Sequence, residues 1–203
     1  MHSAGYHNPS QVPVEQVVVV GAGNSGAEIA LELAKTGKRV WLAGRDVGRI
    51  PADKLGKILG GRLYWWFLQR VLTNDTPLGR RMKTAVLSHG NPLIRTRREE
   101  VAEAGVEFTP RLVAARNGKP QTQDDRTLPA EGIIWATGFQ PDYQWIKLPI
   151  FEATGRPRHE RGVVPEAPGL YFLGLHFQSG LTSSLLGGVG EDAKYITSKI
   201  LRC

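Results

Sequence analysis

Gly21, Gly23 and Gly26 stand in the spacing G-x-G-x-x-G, with Ala22, Asn24 and Ser25 between them. The chemistry this spacing serves is anion binding. Gly21 allows a tight turn, Gly23 lets backbone come close to a phosphate, and Gly26 lets a helix pack closely on a strand. Free N–H groups and the dipole at the start of that helix then favour the pyrophosphate of a dinucleotide. Gly21, Gly23, Asn24, Ser25 and Gly26 are therefore the expected cofactor-binding loop. A strand–turn–helix with no ligand is the plain alternative.

The residue that reads the adenosine ribose in such a site lies roughly 20 positions further on, at the end of the second strand. That strand is expected over Arg39–Ala43, running out into Gly44 and Arg45. A guanidinium at Arg45 suits a 2′-phosphate, so NADP(H) is favoured over NAD. Asp46 is the competing reader if the strand ends one residue later, because a carboxylate there would accept from a 2′-hydroxyl. A solvated loop charge is the ordinary role for Arg45.

No other residue set announces a reaction, and the catalytic residues stay unknown. Tyr195 and Lys199 match a Y-x-x-x-K pair, the acid and its partner in short-chain dehydrogenases. Those enzymes use a different glycine spacing and continue well beyond the pair. A terminal amphipathic helix explains Tyr195 and Lys199 better. The five histidines are scattered, and the single cysteine is Cys203, so no metal site and no internal disulfide are expected.

The elements that must position the glycine loop are legible on both sides of it. Four consecutive valines, Val17 to Val20, suit a central parallel strand buried on both faces. Beyond Gly26, Ala27, Ile29, Ala30, Leu33 and Ala34 recur at helical spacing, and Gly37 follows as a C-cap. Residues 16–20, 24–36 and 39–43 thus form an opening βαβ unit. The fold class is α/β, a Rossmann-like domain with a parallel sheet. Residues 52–90 read as a helical insert. Its segment Leu63 to Leu68 is apolar on nearly all sides, which favours docking on a neighbouring domain over a membrane-surface helix. A helix over 95–104, short strands near 106–108 and 111–114, and a hairpin or surface excursion over 117–126 follow. Gly132 to Trp135 reads as another buried strand, ending at Thr137 and Gly138. Gly169 to Leu173 reads as a further strand of the same sheet, ending at Gly174. A helix is expected from Leu186 to Leu201.

Composition is that of an ordinary globular chain. It has 203 residues, 41% of them apolar and 22% charged, enough for a sizeable core. The net charge of +7 includes runs at Arg80-Arg81-Met82-Lys83 and Arg95-Thr96-Arg97-Arg98. No nucleic-acid-binding motif accompanies them, so solvated helix faces and attraction for an anionic cofactor are expected, with no nucleic acid partner. No transmembrane segment or signal peptide is visible, and the cytoplasm is the default compartment.

Three blocks together carry a resemblance. The valine strand with Gly21–Glu28, the Ile133-Ile134-Trp135-Ala136-Thr137-Gly138-Phe139 strand and the Gly169-Leu170-Tyr171-Phe172-Leu173-Gly174 segment resemble class B flavoprotein monooxygenases in order and spacing. His2 and Tyr6 match the second half of that family's F-x-G-x-x-x-H-x-x-x-(Y/W) motif. The resemblance implies an NADP domain inserted in an FAD domain, with NADPH reducing the flavin and the flavin passing an oxygen atom to a small-molecule substrate. It assigns residues 12–136 to the NAD(P)-binding domain, insert included, and 137–203 to the C-terminal part of an FAD-binding domain. Thr137, Gly138, Gly174 and Leu186 would then lie along the flavin, with the helix starting near Leu186 aimed at its ring. The chain shows one glycine fingerprint and none before it. FAD is therefore expected only if an N-terminal half is supplied, either separately encoded or missing from the gene as read. A homodimer is the other partner considered. A non-catalytic NAD(P)-binding module, or another NAD(P)-dependent reductase, is the alternative function.

Overall fold

The computed structural model describes residues 1–48, 61–89 and 93–202. Contacts divide the chain into two compact units, Met1–Pro51 with His89–Phe139, and Ala52–Ser88 with Gln140–Cys203.

The first unit is built on a four-stranded sheet of β1 (Gln16–Val20), β2 (Arg39–Ala43), β3 (Glu107–Thr109) and β6 (Gly132–Trp135), in the order β3-β2-β1-β6. All three pairings are parallel. The valine run sits at its centre because a strand covered on both faces excludes water from every side chain. Val17, Val18 and Val19 are each fully buried. Side-chain alternation sends Val17 and Val19 to one face, against Ile29, Ala30 and Leu33 of α1 (Asn24–Lys35). Val18 points to the other, against Trp41, Ala43, Leu128 and Ala130. Burial of each valine is worth about 1.5–3 kcal/mol, so β1 anchors the unit. The indole N–H of buried Trp41 is satisfied by Glu107 Oε2 at 2.9 Å.

A two-stranded antiparallel hairpin, β4 (Leu112–Arg116) and β5 (Lys119–Thr122), turns at Asn117 and Gly118. Both turn residues have positive φ. The hairpin expected over 117–126 thus includes a strand on each side of that turn. Residues at the start of the chain tie onto this unit. Trp135 N donates to Met1 O, and Tyr6 donates to Glu32 Oε2 on α1 at 2.8 Å. Burial and the Glu32 carboxylate push the Tyr6 phenol well above its ordinary value, keeping it neutral as a donor.

The second unit contains α2 (Arg62–Arg70), α3 (Pro77–His89) and α5 (Val189–Ile200); α4 (Arg98–Glu103) belongs to the first. Its loops are stitched by backbone bonds from Asn74 N to Ser179 O and from Leu181 N to Leu72 O. Trp65 packs under Gly187, and Gln69 Nε2 donates to Gly187 O at 2.7 Å. By contacts α2 and α3 therefore group with the C-terminal residues, not with the sheet; residues 52–60 and 90 of the expected helical insert lie outside the described residues.

Three elements differ from the expected ones in kind or by more than two residues. α4 begins at Arg98, because the preceding residue Arg97 is extended at the N-cap. Gly169 to Leu173 adds no strand to the sheet. Its backbone bonds go to a neighbouring turn instead, Val164 N to Leu170 O and Phe172 N to Gly162 O. The last helix begins at Val189 instead of Leu186. Leu185 and Gly188 close successive turns onto Thr182 and Leu185, and Gly188 packs so closely that a Cβ there would lie 2.2 Å from Thr182 O.

Candidate functional site: a glycine cradle at the carboxyl ends of the strands

The carboxyl ends of β1, β2 and β6 converge. Gly21 N donates to Ala43 O and Ala136 N to Val20 O, each at 2.7 Å. In a parallel α/β sheet this edge is where ligands bind, at the point where strand order switches. Here the switch falls between β1 and β6, since β2 and β3 continue to one side of β1 and β6 lies on the other.

The three fingerprint glycines separate by role. Gly21 has φ +109°, and a Cβ there would lie 2.2 Å from Ala136 O. At Gly26 a Cβ would lie 1.8 Å from Gly21 O, so the glycine is what lets α1 approach the end of β1. A Cβ on Gly23 would meet nothing within 4 Å. The backbone there has φ −77°, which any residue can adopt. Neither fold packing nor dihedral strain asks for glycine at 23. What remains is open space beside the start of α1, which a side chain at 23 would enter.

Gly23 is also the N-cap of α1, and no side chain caps the helix. Its carbonyl accepts from Ala27 N at 2.9 Å, and the first turn carries no acidic residue. The positive end of the helix therefore faces the cradle uncompensated by protein charge. Asn24 uses its amide oxygen to accept from Ile94 N at 2.9 Å, which ties the loop carrying Arg95 to the start of α1. That anchoring role was not visible in the sequence.

Arg45 and Asp46 follow β2, which ends at Ala43 as expected. Gly44, at φ +159°, brings its backbone within a Cβ's reach of Ala22 N, at 2.8 Å, so the end of β2 meets the glycine loop. Asp46 is committed to the fold. One carboxylate oxygen accepts from Gly48 N at 2.8 Å and the other lies 3.6 Å from Arg98. Arg45 is exposed, and no carboxylate pairs with it among the described residues. Thr137 and Gly138 lie just past β6, both exposed, with Gly138 at φ +94°.

Gly174 and Leu186 belong to the second unit. Leu186 is almost wholly exposed, at 99%, on the turn before α5. The first turn of α5 bears its own carboxylates, Glu191 and the buried Asp192, which occupy the positive helix end themselves. Tyr195 and Lys199 are also on α5. The Lys199 ammonium stands over the tyrosine ring, 5.2 Å from its centroid, with Arg161 at 4.3 Å. These are cation–π contacts, which give Tyr195 a packing role. Among the described residues no group of His, Cys, Asp and Glu could hold a metal. No helix among them is long and apolar enough to cross a membrane.

Residues 1–174 match the family described as pyridine nucleotide-disulphide oxidoreductase. An uncharacterized CzcO-like oxidoreductase of Geobacillus kaustophilus is 35% identical over 99% of the chain, and the chain spans 57% of that protein. The CzcO oxidoreductase of Bacillus subtilis is 33% identical, with 98% and 57% covered. Among solved structures, a flavin-containing monooxygenase from Stenotrophomonas maltophilia aligns with TM-score 0.68 at 20% identity, covering 99% of this chain and 54% of that one. The chain thus spans a little over half the length of each of these proteins. It belongs to the pyridine nucleotide-disulphide oxidoreductase family, on the side of it that is similar to class B flavoprotein monooxygenases.

Proposed function

We propose that this chain is the NADPH-binding part of a flavin-dependent monooxygenase. The observation that carries the reading is the cradle at Gly23, open where a side chain would fill it and facing an uncapped helix end. Gly21, Gly23, Asn24, Ser25 and Gly26 supply the pyrophosphate site, and exposed Arg45 takes the 2′-phosphate that distinguishes NADP(H) from NAD. The engagement of Asp46 with Gly48 and Arg98 favours Arg45 as the reader.

NADPH supplies a hydride; the residues here hold and orient it. The described residues contain one strand–glycine–helix cradle, and no pyrophosphate site for FAD is derived from them. FAD enters with an N-terminal half, and Thr137, Gly138, Gly174 and Leu186 are assigned to the flavin side of that assembly. A flavin held there would supply the redox chemistry, taking a hydride from NADPH so that one atom of molecular oxygen could go to a small organic substrate and the other leave as water, chemistry that belongs to the cofactors. The compartment assigned is the cytoplasm. A second reading, an NAD(P)-binding module without its own catalysis, is favoured by the single cradle.

The test is a titration of wild type and Arg45→Ala with NADPH and NADH. Arg45→Ala weakens NADPH by about 10- to 100-fold, the worth of a charge-assisted phosphate contact. NADH binding stays unchanged. Equal losses for both cofactors would remove Arg45 from its role.

A further inference from the structure

A short segment of the first unit is pinned beside the glycine loop at three points. Leu93 N donates to Gly48 O at 3.0 Å, Ile94 N donates to Asn24 Oδ1 at 2.9 Å, and the Arg98 guanidinium lies 3.6 Å from Asp46. Leu93 and Thr96 are buried, Leu93 in the same core as Ile29 and Leu33 of α1. Residues 93–98 are therefore held against two places at once. One is the first residue of α1; the other is the turn after β2, which carries Arg45.

Two side chains of this segment, Arg95 and Arg97, are exposed, and no carboxylate pairs with either among the described residues. The carboxylates close to them in the fold or the sequence are engaged elsewhere or stand apart. Asp46 is taken by Gly48 N and Arg98, Glu100 lies 3.8 Å from Lys35, and Glu99 forms no ion pair with either arginine. The start of α1 adds its own positive end, with no acidic residue in the first turn. Cations fixed beside a positive helix end repel one another unless an anion joins them. The two arginines differ in place. Arg95 follows directly on Ile94, the residue bound to Asn24, whereas Arg97 precedes Arg98, at the Asp46 end.

We propose that Arg95 is a pyrophosphate ligand, a cation that the glycine fingerprint does not include. The inference rests on the dinucleotide reading above and adds a division of labour to it. Arg95 serves the pyrophosphate, which NADPH and NADH share; Arg45 serves the 2′-phosphate, which only NADPH carries. A guanidinium offers phosphate oxygens a planar fork of donors, supplementing the N–H groups at the start of α1. Asn24 then has a positioning role as well, since its bond to Ile94 N fixes the residue next to Arg95.

Calorimetric titration of the whole chain tests this with NADPH, NADH, ADP-ribose and 2′-AMP. ADP-ribose keeps the pyrophosphate without a 2′-phosphate, and 2′-AMP has the 2′-phosphate without a pyrophosphate. Arg95→Gln weakens NADPH, NADH and ADP-ribose alike, by about tenfold, the lower end for a charge-assisted contact. It leaves 2′-AMP unchanged. Arg45→Ala does the reverse, weakening 2′-AMP and sparing ADP-ribose. Arg97→Gln removes the same charge from the same segment and leaves ADP-ribose binding nearly unchanged, because solvent and salt screen a cation that makes no contact. In an Asn24→Ala background Arg95→Gln costs less than in wild type, since the segment is no longer pinned to α1. Thermal unfolding shows the Arg95 and Arg97 variants as stable as wild type, both side chains being exposed. ADP-ribose binding like wild type by Arg95→Gln, a loss confined to NADPH and 2′-AMP, or an equal loss from Arg97→Gln would each overturn the assignment and leave the dinucleotide site standing. A folded wild-type chain that binds none of these ligands would remove both.

Discussion

Adding one methyl group at Gly23 and the same group at Gly26 should have opposite consequences. At Gly26 the new Cβ would sit 1.8 Å from Gly21 O, well inside contact distance, and the obstacle is backbone. Helix and strand must separate, so Gly26→Ala costs about 3 kcal/mol or more, at the upper end of overpacking penalties. For a chain of this size that lowers Tm by roughly 6–12 °C. At Gly23 the new Cβ meets nothing within 4 Å, and the backbone is unstrained. Gly23→Ala therefore changes stability by under about 1 kcal/mol, the range of N-cap exchanges of this kind. Binding is another matter, because the methyl occupies the space where the pyrophosphate meets the first-turn N–H groups. Loss of two such charge-assisted bonds at about 1.5 kcal/mol each removes about 3 kcal/mol, or roughly 150-fold in Kd. The bulkier Gly23→Val abolishes binding. Thermal unfolding and calorimetric titration with NADPH on the same samples separate the two effects. Unchanged NADPH binding by folded Gly23→Val would refute the cradle. A Gly26→Ala protein as stable as wild type would refute the packing argument.

Three further outcomes follow from the same contacts. His159 and His176 are held below their usual pKa chiefly by burial, assisted by Lys83 and Arg156 respectively, and His159 Nδ1 must be unprotonated to accept from Gly162 N. Their stabilisation is complete above the unfolded value near 6.5 and is lost as pH falls below it through the lowered folded values; His159→Gln should flatten the fall in Tm between neutral and acid pH. Val18→Ala, in the fully buried centre of β1, should destabilise the first unit by about 1.5–3 kcal/mol in urea unfolding without altering Kd for NADPH corrected to the folded fraction. Asn24→Ala removes the acceptor of Ile94 N and frees the loop carrying Arg95, so NADPH affinity should fall several-fold in titration while NADH falls equally.

The parts of the fold legible in the sequence are those where one local pattern meets no competitor. Val17–Val20, the glycine turn and the 3.6-residue apolar period of α1 agree with one another, and β2 ends at Ala43 as its pattern implies. Gly169 to Leu173 has the look of a strand, but a strand exists only if a neighbour offers free backbone groups. Here those bonds close on residues 162–164 instead. The start of α5 was misplaced because Leu185 and Leu186 continue an apolar run. Backbone turns and the packing of Gly188 on Thr182, which periodicity does not register, delay the helix to Val189. In the candidate site, the glycine spacing marked the turn between β1 and α1. Two of its supports depend on tertiary placement: the Asn24 bond to Ile94 and the approach of Gly44 to Ala22. The separate fates of Arg45 and Asp46 also needed Arg98 brought alongside from a distant helix.

The most direct test of the central claim is the cofactor stoichiometry of the purified chain. It is expected to emerge colourless, to take up one NADPH per chain in calorimetry, and to retain no FAD after incubation and gel filtration. Mixed with the N-terminal portion of a CzcO-type relative, it is expected to turn yellow and to consume NADPH only in the presence of oxygen. A chain that purifies alone with stoichiometric FAD, or one that is folded and binds no NADPH, would contradict the account.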